Sequence, residues 1–283
     1  MTEIWKGQAA AAKIEADLTP RIAALKEKGI IPGLGIVRVG ERPDDLAYER
    51  GAMKRAGKLG ISVKQYLLPP DASEQQLIEV LRGINDDTEV HGCLLFKPLP
   101  KRMNERRVCE TLAPEKDVDG ITITSMAGVF AGRDEGYPPC TAQACIEILD
   151  AYGYDLTGKN VVVVGRSLVI GKPVSMLLIK RNATVTICHT KTVDMPAVCR
   201  RADLIVAAAG RARMLGREYL SAGQTILDVG INVLPDGSLC GDVNAEEAEG
   251  LAAALTPVPG GIGSVTTSVL AKHVVEAAEK AEK

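Results

Sequence analysis

The sequence predicts an α/β protein of two domains, each built on a parallel sheet. Three observations carry that prediction. Short apolar strands alternate with helical segments along most of the chain, at the interval expected of βα units. The stretch Val161 to Pro173, read VVVVGRSLVIGKP, joins a β-branched apolar run to a helix through glycines. Between Lys101 and Cys140 the alternation loosens into a short helix, an acidic turn and a glycine-rich stretch, which marks a domain junction.

Taken in order, residues 7 to 28 are rich in Ala, Lys, Glu and Leu and predict a helix. Thr19-Pro20 should kink or break it, because proline removes a backbone donor. Gly33 to Gly40 predicts a strand, Arg42 to Asp45 a capping turn, and Leu46 to Leu59 a helix. Ser62 to Leu68 is the next strand. The helix after it runs to Ile84, with Ser73 as N-cap and Gln76 completing a capping box. His91 to Phe96 is a strand that Pro98-Leu99-Pro100 ends. Past the junction, a helix from Ala142 to Tyr152 leads into the valine run, and βα units continue through Thr184 to Cys188, Asp203 to Ala208 and Thr225 to Val229. Thr256 to Thr267 holds too much Pro and Gly for regular structure, and a final helix runs to about Lys280.

Four valines bounded by Lys159-Asn160 and Gly165 suit a central parallel strand covered on both faces. Gly165 permits a tight turn, Gly171 lets backbone or ligand come close, and Pro173 fits a first helical turn. Unpaired N–H groups and the helix dipole at such a terminus favour an anion, so a nucleotide pyrophosphate is the natural guest. The spacing is G-x5-G rather than G-x-G-x-x-G, so a structural βα turn without a ligand stays open from this motif alone. The following strand ends at His189-Thr190-Lys191-Thr192, where dinucleotide folds read the adenosine ribose. NAD sites usually place a carboxylate there. Here none precedes Asp194, while Arg166, His189, Lys191 and several hydroxyls are available, which predicts NADP.

Composition excludes several classes of function. The 34 Lys and Arg nearly balance the 36 Asp and Glu, which argues against nucleic-acid or anionic-membrane partners and for small molecules. No apolar run approaches the roughly 18 residues needed to span a bilayer, and the N-terminus lacks a signal pattern, so a soluble cytoplasmic protein is expected. Seven cysteines without a C-x-x-C pair predict buried thiols rather than disulfides or a metal site.

Three further features could carry chemistry. Tyr48 falls on the first turn of a helix that follows a strand, where open α/β sheets bind ligands, although a tyrosine there could equally cap a core. Asp119 lies in the acidic turn Glu115 to Gly120, which could equally be a solvated loop. Pro259-Gly260-Gly261 offers bare backbone to a flat ligand, or a hinge.

The blocks Gly165-Arg166-Ser167-x3-Gly171-x-Pro173, Pro114 to Gly120, Pro138-Pro139-Cys140-Thr141, Asp228-Val229-Gly230-Ile231-Asn232, Gly241-Asp242-Val243 and Thr256 to Gly263 together resemble the methylenetetrahydrofolate dehydrogenase/methenyltetrahydrofolate cyclohydrolase family, in order and over nearly the whole chain. The resemblance implies a three-layer α/β first domain (1–140 and 265–283) completed by the returning C-terminal helix, a Rossmann-like NADP domain (141–264), and a cleft between. It implies oxidation of 5,10-methylenetetrahydrofolate by NADP and hydration of the methenyl product to 10-formyltetrahydrofolate, in a homodimer. Carried over, Tyr48 and Asp119 contact the substrate, Pro259, Gly260, Gly261 and Gly263 form the folate loop, and Gly165, Arg166, Ser167, Gly171, His189, Thr190 and Ile231 hold the cofactor.

The chain departs from the family at two linked places. The family's Tyr-x3-Lys reads Tyr48-x3-Ala52 here, and its Gln before Leu-Pro-Leu-Pro is Phe96. Lys54 lies roughly 120° around the helix from Tyr48, so it is no simple replacement. Lys97 or Arg55 could supply a cation, or both could be surface charges. Hydride transfer should therefore survive these changes better than hydration, and a folate- and NADP-binding protein without catalysis is the alternative.

Overall fold

The computed structural model describes residues 1–282. A short β1 (Glu3–Ile4) precedes α1 (Gly7–Glu27), and alternating elements follow: β2 (Gly33–Val39), α2 (Pro43–Leu59), β3 (Ser62–Leu68), α3 (Glu74–Asp86) and β4 (Gly92–Leu95). Short helices α4 (Glu105–Cys109) and α5 (Ile123–Ala131) occupy the loosened stretch. Then come α6 (Cys140–Ala151), β5 (Asn160–Val164), α7 (Gly171–Lys180), β6 (Thr184–Cys188), α8 (Met195–Cys199), β7 (Leu204–Ala207) and β8 (Thr225–Asp228). An antiparallel arm of β9 (Asn232–Val233) and β10 (Leu239–Cys240) leads to α9 (Ala245–Ala248), β11 (Ala254–Leu255) and α10 (Thr266–Ala281).

The chain divides into two compact units. One holds Ile14–Cys140 and the chain from Thr267 onward, so α10 belongs with the N-terminal elements. Its sheet is parallel, in the order β3-β2-β4. β2 is central and buried along nearly its whole length, which fits its apolar and glycine pattern, interrupted only by Arg38, which is buried against Glu49. Gly92 is required on β4, because a Cβ there would stand 2.5 Å from Val118 and 3.1 Å from Val274 of α10. On α3 the predicted capping box is formed, Ser73 accepting from the Gln76 N–H and Gln76 from the Ser73 N–H. That helix buries Leu77, Ile78, Leu81 and Ile84, each worth about 1.5–3 kcal/mol of apolar burial.

Two expectations about helices change. α1 runs unbroken through Pro20. The Thr19 hydroxyl donates to the Glu15 carbonyl at 2.8 Å, taking up an acceptor in the turn before the proline. α2 begins at Pro43 instead of Leu46, since proline suits the first helical position and Asp44 and Asp45 complement the dipole there. Tyr48 consequently stands in the second turn.

The other unit holds Met1–Lys13 and Thr141–Thr266. Its first thirteen residues, expected with the N-terminal domain, lie here because β1 adds to the sheet edge beside β11 (Glu3↔Ala254) and Trp5 stacks on Tyr152 at 4.7 Å. All six strands are parallel, in the order β1-β11-β8-β7-β5-β6. Counted from β5, the spatial order is the doubly wound 2-1-3-4-5, which reverses between β5 and β7 and opens a crevice there. All seven cysteines are free and buried. Among the described residues no helix is long and apolar enough to cross a membrane, and no cluster of metal ligands occurs.

Candidate functional site

The nucleotide end is built from backbone. Gly165 ends β5 with φ +136°, and a Cβ there would stand 2.2 Å from the Ala208 carbonyl oxygen. Gly171 is as constrained, its Cβ meeting the Gly165 carbonyl at 2.3 Å. The Ser167 hydroxyl accepts the Ile170 N–H at 3.1 Å and the Ser167 carbonyl accepts the Lys172 N–H at 3.0 Å, which shapes the loop that delivers the N-terminus of α7. Arg166 and Ser167 are exposed on that loop. The end of β6 is its neighbour, since the Gly165 N–H donates to the Cys188 carbonyl at 2.9 Å. There His189 Nδ1 accepts the Lys191 N–H at 3.1 Å, so the ring proton sits on Nε2 as a donor. Thr190 and Lys191 are exposed beside it. Asp194, the first carboxylate beyond, caps α8 by accepting the Ala197 N–H. Two cations, a ring donor and hydroxyls without a competing acid fit a ribose phosphate, and the bare loop fits a pyrophosphate.

In the same unit Asp228 to Ile231, Leu239 and Pro257 to Ser264 line an open cleft of about 220 Å³. It brings the predicted Ile231, 62% exposed, together with Pro259, Gly260, Gly261 and Gly263. The Ile231 Cδ1 would lie 3.1 Å from a Cβ at Gly263, and a Cβ at Gly261 would strike the Pro257 carbonyl at 2.4 Å. Glycine at position 261 is therefore a packing requirement.

The other unit gathers Tyr48, Phe96, Lys97 and Asp119. The half-buried Tyr48 meets Phe96 edge to face, with ring centroids 6.0 Å apart and 83° between planes. Phe96 is held at the end of β4 by its N–H to the Val37 carbonyl. Lys97 forms an ion pair with Glu105 at 3.6 Å. Asp119 is half-buried and accepts the Cys140 N–H at 3.0 Å. Burial pushes its carboxyl above the usual range and Asp117 adds to that, while the Cys140 N–H and thiol and, least, the Lys97 charge pull it back. Ala52 is buried in an apolar setting with Leu34, Ala56, Ile61, Leu270 and Val274, and Thr267 is the polar member of its lining. Lys54 is exposed, and Arg55 pairs with Glu15 at 3.2 Å.

Several structural acids escaped the sequence reading. Asp117, fully buried, accepts the Ile121 and Thr122 N–H groups and the Thr122 hydroxyl, which fixes the turn that presents Asp119. Glu49, next to Tyr48, is buried against Arg38 at 2.9 Å and also accepts from Gln65. Asp228 and Asp242 tie together loops of the nucleotide unit. The sequence signal for the last two was a carboxylate beside a glycine in an apolar setting, and it pointed to no particular role.

A doubly wound sheet whose glycine loop and cationic strand end meet beside the switch point defines a dinucleotide-binding protein. Comparison with known proteins narrows this class. Residues 5–119 match the tetrahydrofolate dehydrogenase/cyclohydrolase catalytic domain, and residues 139–282 match the NAD(P)-binding domain of the same family. The bifunctional protein FolD of Clostridioides difficile is 49% identical over 275 residues, 97% of this chain and 96% of its own. That of Clostridium botulinum (strain Langeland) is 46% identical over 280 residues, 99% of both. Among solved structures, the bifunctional enzyme FolD of Campylobacter jejuni superposes with a TM-score of 0.96 at 34% identity over 99% of each chain. The Trypanosoma brucei methylenetetrahydrofolate dehydrogenase-cyclohydrolase, solved with NADP and an inhibitor, gives 0.94 at 32% identity, covering 100% of this chain and 99% of its own. The chain belongs to the tetrahydrofolate dehydrogenase/cyclohydrolase family.

Proposed function

We propose that this chain is an NADP-dependent methylenetetrahydrofolate dehydrogenase of one-carbon metabolism, which oxidises 5,10-methylenetetrahydrofolate to the 5,10-methenyl cation and does not accelerate its hydration. The family and the nucleotide site support the first half. The observation that carries the second is the apolar surrounding of Tyr48, with Phe96 against its ring and Ala52 one turn along α2 in an apolar setting.

The two steps make different demands. In the first, a hydride leaves the methylene carbon with both C–H electrons, and the cation left behind is shared by the two folate nitrogens. NADP, when bound, supplies the hydride acceptor. The protein then needs only to orient and to exclude water. Gly165 and Gly171 shape the pyrophosphate loop, Arg166, His189 and Lys191 answer the 2′-phosphate, and Tyr48 and Asp119 hold the pterin.

Hydration adds water to the cationic carbon, so a water proton must leave and a ring nitrogen must gain one as its bond to carbon breaks. Positioned acid–base help is worth about 10² to 10⁴ in rate. Phe96 and Ala52 carry no proton to give or accept. Lys97 is engaged by Glu105, Arg55 by Glu15, and Lys54 is exposed. Asp119 is occupied with the Cys140 N–H and, in this reading, the pterin.

The test mixes purified protein with methylenetetrahydrofolate and NADP and follows the absorbance of methenyl product and NADPH. Stoichiometric accumulation of both is expected, and binding without turnover would remove the dehydrogenase. In a second assay, methenyltetrahydrofolate added to the protein should decay at the spontaneous rate of the buffer. Acceleration by about 10² or more would show that hydration is retained.

A further inference from the structure

The Gly241-Asp242-Val243 stretch has no task in either half-reaction, yet its carboxylate is fully buried. Asp242 Oδ2 accepts the N–H groups of Ala209 at 2.6 Å and Gly210 at 2.8 Å. Oδ1 accepts the Arg211 N–H at 2.8 Å and Asn232 Nδ2 at 3.0 Å. Three consecutive amides pointing at one carboxylate form a nest, here filled from inside the protein. The backbone continues the tie: Asp242 N–H donates to Asp228 Oδ1 at 2.9 Å, and the Leu215 N–H donates to the Asp242 carbonyl at 2.9 Å. Asp228 also accepts from Gly230 and Val243.

Two glycines exist to admit these carboxylates. A Cβ at Gly230 would stand 2.2 Å from Asp242 Oδ1, and one at Gly241 would stand 1.8 Å from Asp228 Oδ2. The loops joined in this way follow β7 and β8. Ala208 is packed on Gly165, whose Cβ would strike its carbonyl, and its N–H donates to the Val164 carbonyl at 2.9 Å. The Asp242 cluster thus sets the wall of the switch-point crevice opposite the ribose-reading end of β6. In a doubly wound fold the dinucleotide crosses that crevice, so the wall on the β7–β8 side faces its nicotinamide half.

We propose that Asp242, supported by Asp228, is a positioning residue for the cofactor: it pre-forms the Ala208 to Arg211 loop and Ile231 before the nicotinamide half of NADP arrives. A loop already held in the bound shape loses no ordering free energy on binding. The proposal rests on the dinucleotide reading of this unit and not on the folate reaction.

The test uses the full chain and NADPH as probe. In the wild-type protein without nucleotide, the amides of Ala209, Gly210 and Arg211 should be protected from hydrogen exchange. Asp242→Asn replaces one acceptor oxygen by an NH₂ that must face an N–H donor. It should raise the NADPH Kd, read by fluorescence, about ten- to one-hundredfold, the loss expected for a charged hydrogen bond. Tetrahydrofolate binding should fall much less than NADPH binding, because, of the residues held, only Ile231 packs on the folate loop, whereas a merely structural lesion would weaken both alike. Rapid exchange of the three amides in folded wild-type protein would overturn the proposal, and so would a folded Asp242→Asn variant that keeps its NADPH affinity. If that variant does not fold, Asn232→Ala, which removes one donor only, must weaken NADPH binding at least about threefold, and an unchanged Kd would refute the role. NADPH binding with this pattern but without turnover of methylenetetrahydrofolate would refute the reaction and leave the proposal standing.

Discussion

Removing the Glu49 carboxylate should destabilise the unit that carries Tyr48 by about 3–5 kcal/mol, because it leaves the buried Arg38 with only the exposed Glu41, 3.5 Å away, as a counter-charge. Arg38 is 7% and Glu49 4% exposed, and the Arg38 Nε lies 2.9 Å from Glu49 Oε2. At that distance and an effective dielectric of about 20, Coulomb attraction is about 6 kcal/mol. Desolvating two ions costs several kcal/mol each, so the intact pair contributes little net stability, while either half alone is heavily penalised. The Arg38 donation to the Gly40 carbonyl and the Gln65 donation to Glu49 lower the cost of the pair further. Glu49→Ala should therefore be markedly worse than Arg38→Met/Glu49→Leu, in which no charge is buried. The double variant still leaves the Gln65 amide and the Gly40 carbonyl short of a partner, at about 1 kcal/mol each. Chemical denaturation should be followed by far-UV circular dichroism or by exchange of α2 amides, since Trp5, the single tryptophan, reports on the other unit. Equal destabilisation of the single and double variants, or a loss under about 1 kcal/mol in Glu49→Ala, would refute the reasoning.

Two further outcomes follow from the nucleotide unit. Burial, with the Asp242 charge assisting, raises the Asp228 carboxyl from 3.8 to about 7. The folded state thus holds a proton that the unfolded chain has released, and stability falls as pH rises from about 4 to about 7, by on the order of 4 kcal/mol. Asp228→Asn should flatten that slope when urea midpoints at pH 5 and pH 8 are compared, and an unchanged slope would contradict it. Arg166→Ala should weaken NADP about tenfold or more and leave NAD within about twofold, as measured by competition for NADPH fluorescence; equal losses for both would remove the 2′-phosphate contact.

What the sequence made legible was local. The capping box of Ser73 and Gln76, the valine run of β5 and the glycines of its loop each declare themselves within a few residues, and all are formed. The predicted His189 and the Lys191 backbone N–H meet because a single residue separates them. What escaped is long-range. β1 is two residues long and finds its sheet through partners some 250 positions away, as in the Thr2 hydroxyl bond to Ala252, so nothing near Glu3 announces it. The β9–β10 arm offers only two paired residues per strand, too few for a period to show. The break that Thr19-Pro20 allowed does not occur, because a 21-residue helix keeps the rest of its backbone ladder around one missing donor. Tyr48 and Phe96 were each visible, but their edge-to-face contact across α2 and β4 was not, and that contact bears on what surrounds the tyrosine.

Acceptor counting separates the structural acids from the one proposed to meet the substrate. An ionised carboxylate has about four lone-pair sites. Asp242 fills all four with Ala209, Gly210, Arg211 and Asn232. Asp117 uses three on Ile121 and Thr122, and Asp228 three on Gly230, Asp242 and Val243. These side chains shape backbone and have little capacity left. Asp119 accepts one N–H, that of Cys140, with the neighbouring thiol as a weak second donor. Half-buried and under-satisfied, it bears the desolvation penalty that lifts its carboxyl above the normal range, and new donors would relieve that penalty. The donor-rich edge of a reduced pterin supplies such groups. Burial alone would have ranked Asp242 and Asp117 as the functional acids; unfilled acceptor capacity points to Asp119 instead.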